Sequence, residues 1–375
     1  MGKLSISNIS TAEDLHFSFG TYKSSIHITP FLPGIENITD DFGIDHSAPL
    51  LICDSNTEYL AVKIRGNTQT PICILEPGEP NKNWHSVETI LHCAHYAGIS
   101  RDGIFIGIGG GVVSDLCSFA ASIYMRGCSL ALISTSLLGM VDAALGGKTG
   151  FDLFGIKNIA GTFYPASHVY MPVESLESLP PHEWKSGMAE LIKTAILAGD
   201  DFLEELSSMP IKFTSTSLTE TKPASSPVIR CISRAAQYKG AIVEEDPLET
   251  GNRRILLNLG HTFGHALESV AGLGTISHGE AVAWGIARSC DLGLALGITP
   301  APRVKKIMHI LGAYGYETRS PHPLMSDAGA FMQAMNSDKK KRGENLTFII
   351  PDEKSARPVM LKPENTQVKK IIKGE

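Results

Sequence analysis

Ile104-Phe105-Ile106-Gly107-Ile108-Gly109-Gly110-Gly111-Val112-Val113-Ser114-Asp115 is a short apolar run, then a glycine cluster, then the opening of a helix-like stretch. A brief apolar run bounded by turn residues reads as a buried strand of a parallel sheet. Glycines there let the backbone approach a pyrophosphate, and the following helix N-terminus offers unpaired N–H groups with a positive dipole end. The context suits dinucleotide binding, although Val112 stands where G-x-G-x-x-G would carry its third glycine.

The same texture repeats on either side. Leu50–Asp54, Cys73–Glu76 and Leu130–Ile133 read as further buried strands, and 83–97 and 113–125 carry helical spacing, a βαβ rhythm. Leu15–Phe19 and Ser25–Ile28 alternate around Gly20 as a hairpin would. Beyond Pro172 the pattern becomes helical, at 183–198, 228–243, 261–270, 280–296 and 304–311. The expected fold is therefore an α/β N-terminal nucleotide-binding domain, residues 1–175, followed by a mostly α-helical domain, 176–375. Residues 213–227, dense in Ser, Thr and Pro, read as a surface loop.

Bulk composition narrows the function. The 375 residues, 43% hydrophobic and 19% charged, describe a globular enzyme too long for one small core. A net charge of -6 gives no broad attraction for nucleic acid or acidic lipid, so neither partner is expected. Seven cysteines without a C-x-x-C pair read as reduced thiols of a cytoplasmic protein. Met1–Leu15 lacks an apolar signal core, and no run approaches the ~18 apolar residues of a membrane span.

Asn258-Leu-Gly-His261-Thr-Phe-Gly-His265-Ala-Leu-Glu268 puts two histidines four apart on one helix face, and His278 follows in Ser277-His278-Gly279-Glu280. Imidazoles so spaced suit a divalent metal with three protein ligands and an open position. The arrangement is not H-E-x-x-H, because Thr262 follows His261. If two histidines bind, a carboxylate is still required. Glu190 shares a helix face with Lys193 in apolar surroundings, a setting that periodicity leaves open between a ligand and an ordinary ion pair.

These blocks occur in an order that resembles 3-dehydroquinate synthase. They are Gly109–Asp115, Tyr124–Gly127, Leu137–Gly150, Lys157-Asn158, Gly187–Lys193, Asn258–Ala266, His278–Val282 and Asp338-Lys339-Lys340, spread over about residues 48–350. The resemblance implies a nucleotide-binding α/β domain and a helical domain with the active site between them. It implies conversion of 3-deoxy-D-arabino-heptulosonate 7-phosphate, a sugar phosphate, to 3-dehydroquinate and phosphate. This is a shikimate-pathway step on the way to aromatic amino acids, using NAD regenerated in each turnover and zinc or cobalt.

By the same resemblance Glu190, His261 and His278 are the metal ligands. The NAD contacts would be Asp54, Glu79, Lys82, Gly110, Gly111, Val112, Val113, Ser114, Asp115, Thr135, Ser136, Lys148, Lys157, Ser175 and Ser178. Asp142, Lys148, Asn158, Lys193, Lys239, Arg254 (or Arg253), Asn258, His265 and Lys339 or Lys340 match substrate-site positions. Arg126 matches an arginine that reaches a neighbouring subunit's site, implying a homodimer. Lys148, Asn158, Arg126 and a late lysine suit phosphate capture. His265 suits proton handling.

Two other activities stay in view: a sugar phosphate cyclase acting on sedoheptulose 7-phosphate, and a metal-dependent polyol dehydrogenase. Lys239, Arg254 and Asn258 argue against the first, because in the resembled family they face the substrate's carboxylate. Lys157-Asn158 and the late Asp-Lys-Lys argue against the second.

Overall fold

The computed structural model describes residues 13–43, 48–206, 209, 226–251, 253–272, 274–325, 327–336 and 345–375. Lys339, Lys340 and nearly all of the Ser/Thr-rich stretch at 213–227 lie outside them. Two compact units form, one from 1–179 with 213–248 and the other from 180–212 with 249–375.

The first unit is built on a seven-stranded sheet ordered β1-β2-β9-β6-β5-β3-β4. Its strands are β1 (Glu13–Phe19), β2 (Tyr22–Thr29), β3 (Pro49–Asp54), β4 (Ile72–Leu75), β5 (Ile104–Gly109), β6 (Ser129–Ser134) and β9 (His168–Pro172). All neighbouring pairs are parallel except the β1–β2 hairpin. The inner strands are buried on both faces, which is why they read as continuous apolar runs.

Helices α1 (Ile35–Phe42), α2 (Glu58–Arg65), α3 (Trp84–Tyr96) and α4 (Gly111–Ile123) accompany the sheet. Leu60, Ala61 and Ile64 of α2 and Ile35 and Ile38 of α1 pack on Leu51, Ile104, Ile106, Ile108 and Ile133. A second hairpin, β7 (Lys148–Leu153) with β8 (Ile156–Phe163), follows a π-helical turn at Gly139–Ala143. It escapes the sequence pattern because β8 is exposed almost throughout and shows no apolar alternation.

The second unit is mostly helical. It holds α5 (Pro181–Ala198), α6 (Asp200–Leu206), α8 (His261–Ala271), α9 (His278–Ala295), α10 (Ala301–Ala313), α11 (Ala328–Asn336), α12 (Thr366–Lys373) and the hairpin β10–β11 (Leu346–Pro351, Ala356–Leu361). Phe263, Trp284, Leu292, Phe331, Phe348 and Ile372 form its core. The helix α7 (Pro227–Glu245) belongs to the first unit, where Gly240 faces the Phe17 ring of β1 and Ser18 N–H donates to Glu244 Oε1 at 2.7 Å. No described helix is long and apolar enough to cross a membrane, and all seven cysteines are free.

Candidate metal centre and nucleotide turn

Three helices of the second unit meet where glycine removes the side chain between them. A Cβ on Gly279 of α9 would lie 2.3 Å from the Ser186 carbonyl oxygen of α5. One on Gly285 would lie 1.9 Å from the Gly260 oxygen, just before α8. Ser277 caps α9 by accepting from Glu280 N–H at 3.2 Å, while the Glu280 carboxylate accepts from Ser277 in return. That cap sets the helix start, and with it His278.

This packing gathers Glu190, His261 and His278. Glu190 is fully buried, and its Oε1 lies 3.7 Å from His261 Nε2 and 3.3 Å from His278 Nε2. Lys193, also buried, pairs with the other oxygen, Oε2. All three potential ligand atoms lie within 4.8 Å of one another.

The outer hydrogen bonds orient both rings. His261 Nδ1 is 3.2 Å from the Leu259 carbonyl, which can only accept, so Nδ1 holds the proton and Nε2 presents a lone pair. His278 Nδ1 donates to Glu268 Oε2 at 3.3 Å, the carboxylate–histidine arrangement that orients metal ligands. Two imidazoles and one carboxylate facing a common point fit a zinc- or cobalt-type ion.

Glu268 is a functional candidate that the sequence reading quoted but did not single out. Its signal was its place three residues beyond His265 and seven beyond His261, on one helix face. His265 stands 5.2 Å from His261 and 6.0 Å from His278 between ring centroids. With Glu268 and His278 it forms an overlapping donor group. Because Glu268 already holds His278 Nδ1, Glu190 is the carboxylate on the side where the two Nε2 atoms converge.

In the metal-free site, burial lowers the His278 pKa, but hydrogen bonds to Glu190 and Glu268 and their charges outweigh it and hold the imidazole at about 10. A divalent ion must therefore displace a proton from His278. Zinc affinity should rise with pH between 6 and 9, by about tenfold per unit if one proton leaves. Competition against a chelator at several pH values measures this, and a flat profile would contradict it. For the fold without metal the opposite trend is expected. Because the folded value lies above the ordinary 6.5, the stabilisation from protonated His278 is lost as pH rises towards 10.

In the first unit, the β5–α4 turn has the expected form. Gly110 caps α4 without a side-chain bond, leaving the first-turn N–H groups of Gly111, Val112 and Val113 uncovered by any capping side chain. A Cβ on Gly110 would come within 3.1 Å of Ser136 Oγ, so glycine keeps this turn against the β6 exit, where Thr135 N–H donates to the Gly109 carbonyl at 3.0 Å. Ser114 is buried behind it. Uncapped N–H groups beside a backbone cradle fit a dinucleotide pyrophosphate.

Close to α4, the buried Lys82 ammonium sits 2.5 Å from Asp115 Oδ2 and 2.7 Å from Asn158 Oδ1. Burial would lower its pKa, but Asp115 and Glu79 outweigh that and raise it. Asn158 holds its left-handed backbone (φ 50°) while its N–H donates to Asp152 Oδ1 at 2.8 Å. Lys157 reaches Glu79 at 3.7 Å, and exposed Lys148 lines one small cavity with Ser114 and Asp115.

The remaining candidates are spread over both units. Lys239 of α7 is buried and donates to Asp142 Oδ1 at 2.7 Å. Asp54 accepts from Thr57 N–H at 3.0 Å and Thr57 Oγ1 at 2.8 Å, so its carboxylate closes the β3–α2 turn. Ser175 donates to the Pro172 carbonyl, and Ser178 accepts from Tyr59. Arg126 is exposed at φ 70°. In the second unit Arg254 is buried and Arg253 exposed at the head of the short helix Arg254–Asn258.

Comparisons with known proteins agree with this picture. The family model for the N-terminal part of 3-dehydroquinate synthase matches residues 72–186, and that for its C-terminal part matches 187–341. A 3-dehydroquinate synthase from Helicobacter pylori (strain HPAG1) is 34% identical over 307 residues, covering 80% of this chain and 84% of that protein. A 2-deoxy-scyllo-inosose synthase complexed with carbaglucose-6-phosphate, NAD+ and Co2+ superposes with TM-score 0.78 at 22% identity, covering 96% of this chain and 99% of that one. A 2-epi-5-epi-valiolone synthase from Streptomyces hygroscopicus with NAD+ and Zn2+ bound gives TM-score 0.78 at 23% identity, covering 96% of each.

Proposed function

The chain belongs to the 3-dehydroquinate synthase family, and we propose that it converts 3-deoxy-D-arabino-heptulosonate 7-phosphate to 3-dehydroquinate and phosphate, a carbocycle-forming lyase step of the shikimate pathway. The observation that carries this reading is the buried Glu190 carboxylate facing His261 and His278 within a family-matched helical unit. When bound, a zinc or cobalt ion would supply Lewis acidity to a substrate hydroxyl and NAD a reversible hydride store.

The chain's own residues divide the remaining work. Glu190, His261 and His278 hold the ion, with Glu268 and the Leu259 carbonyl fixing the imidazoles. Gly110, Gly111 and the first turn of α4 receive the NAD pyrophosphate, with Lys82 and Asp115 beside them. Lys148, Arg126 and a lysine at 339 or 340 neutralise the substrate phosphate, and Asn158 offers it an amide N–H. Lys239, Arg254 and Asn258 receive its carboxylate, and the burial of Arg254 favours it over exposed Arg253 in that role. His265, beside two of the metal ligands, holds and returns a proton on its imidazole.

On this reading NAD belongs to the N-terminal domain and the metal to the C-terminal one. A cytoplasmic homodimer follows from the same reading, with Arg126 of each subunit serving the other. Phosphate release from the heptulosonate phosphate and from sedoheptulose 7-phosphate tests the assignment. Turnover of the first alone is expected, and turnover of the second alone would overturn it.

A further inference from the structure

We propose that the first unit carries a second divalent-cation site, of zinc or cobalt type, formed by His27 of β2, His168 of β9 and Asp41 of α1. It shares no residue with the Glu190–His261–His278 group.

The potential ligand atoms of these three residues lie within 4.8 Å of one another. His27 Nε2 is 3.0 Å from His168 Nδ1 and 4.0 Å from Asp41 Oδ2. Around an ion with ligand bonds of about 2.0–2.2 Å in a tetrahedron, donor atoms stand roughly 3.3 Å apart. The two spacings from His27 straddle that value and the third pair lies within 4.8 Å, so shifts of under an ångström per side chain would complete the set.

What distinguishes the cluster from a chance meeting of side chains is its outer layer. His27 Nδ1 is 2.9 Å from Asp14 Oδ1. A carboxylate accepts, so Nδ1 carries the proton and Nε2 accepts from His168 Nδ1–H, the one proton an ion would displace, to the outer Nε2 of His168. This is the carboxylate–histidine arrangement that orients metal ligands, the same device that Glu268 supplies to His278. Asp41 is held in turn by the Tyr170 hydroxyl, which donates to its Oδ2. The His27 ring stacks on Tyr170 at 4.7 Å, and Phe42 lies 4.7 Å from His168, fixing both imidazole planes.

The environment also suits a cation. Asp14 and Asp41 bring two carboxylates to two imidazoles. The two aspartate side chains are 39% and 40% exposed, which leaves room for water at a remaining coordination position. Both histidines sit on paired strands, since His168 pairs with Ser25 and His27 with Tyr170. An ion here would tie the β1–β2 hairpin, the inner strand β9 and α1 together. Its role would be to staple the edge of the sheet.

The test is zinc stoichiometry of the full chain with NAD present, read by elemental analysis after equilibrium dialysis against zinc. Wild type is expected to hold two ions, and His168→Gln, His27→Gln and Asp41→Asn one each. His261→Ala, which disables the other site, should still hold one. Asp14→Asn should weaken the second ion by about 10–100-fold, since it removes only the orienting partner. Asp41 lies at the end of a surface helix, so its variant reports on the site even if a histidine variant fails to fold. A wild type that saturates at one ion overturns the proposal. So does equal stoichiometry in wild type, Asp41→Asn and His168→Gln. Neither result bears on phosphate release from the heptulosonate phosphate, which tests the function separately.

Discussion

In the His261→Ala variant, the ion of the catalytic site and the release of phosphate from the heptulosonate phosphate are expected to disappear together. In the proposed ligand set His261 offers Nε2 with its proton held away on Nδ1, so alanine removes a donor that needs no reorganisation. What stays behind is Glu190, fully buried, with Lys193 on one oxygen and His278 3.3 Å from the other. With one histidine gone, that carboxylate and a protonated His278 form a closed ion pair that competes with metal. Loss of an orienting partner alone costs about 10–100-fold in metal affinity or activity. Loss of the ligand should exceed that, and Glu268→Gln should fall within it. Elemental analysis alongside the phosphate assay makes the comparison. An active His261→Ala protein with its full complement of metal would reject the ligand set.

Gly285→Ala should cost the second unit its packing. The added Cβ would meet the Gly260 oxygen at 1.9 Å, its carbonyl carbon at 2.8 Å and the Gly264 nitrogen at 3.0 Å, all of them backbone. No side-chain rotation relieves such contacts, so α8 and α9 must separate. Alanine gains about 1 kcal/mol in helix propensity. Overpacking typically costs about 1–3 kcal/mol and more where backbone must shift, so the net effect is a loss. Thermal unfolding should begin several degrees lower. Zinc affinity should fall as well, because Gly260 immediately precedes His261. The matched control is Gly312→Ala at an exposed position of α10, where nothing lies within 4 Å of the new carbon and the propensity gain should appear alone. A Gly285→Ala protein as stable as wild type would show that the two helices can yield.

Much of the first unit was legible as sequence because its inner strands are buried on both faces. Runs such as Leu50–Cys53 and Ile104–Ile108 leave few other conformations for so much apolar surface. The β7–β8 hairpin, β9 and the β10–β11 hairpin were not foreseen. Exposed β8 has no period to detect, and β9 mixes His168 and Tyr170 into a five-residue strand. The placement of α7 was equally invisible, since its helical pattern carries no sign of which unit will bury it. Only contacts such as Gly240 against Phe17 assign it.

The site divides along the same line. By itself, the sequence determined that His261 and His265 share a helix face, that glycines precede α4, and that eight blocks follow the order of one enzyme family. Helical period and local backbone demands act over a few residues, so they survive in the linear text. Tertiary structure alone decided what those groups meet. It brought Glu190 to His261 and His278 across three helices, turned Glu268 onto His278, paired Lys239 with Asp142 and set His27 beside His168. Each of these pairings joins residues on different elements, brought together by close backbone contacts at Gly279 and Gly285, by pairing of distant strands, or, for Lys239 and Asp142, by α7 packing on the π-helical turn. Such contacts depend on what packs where, which no local period encodes.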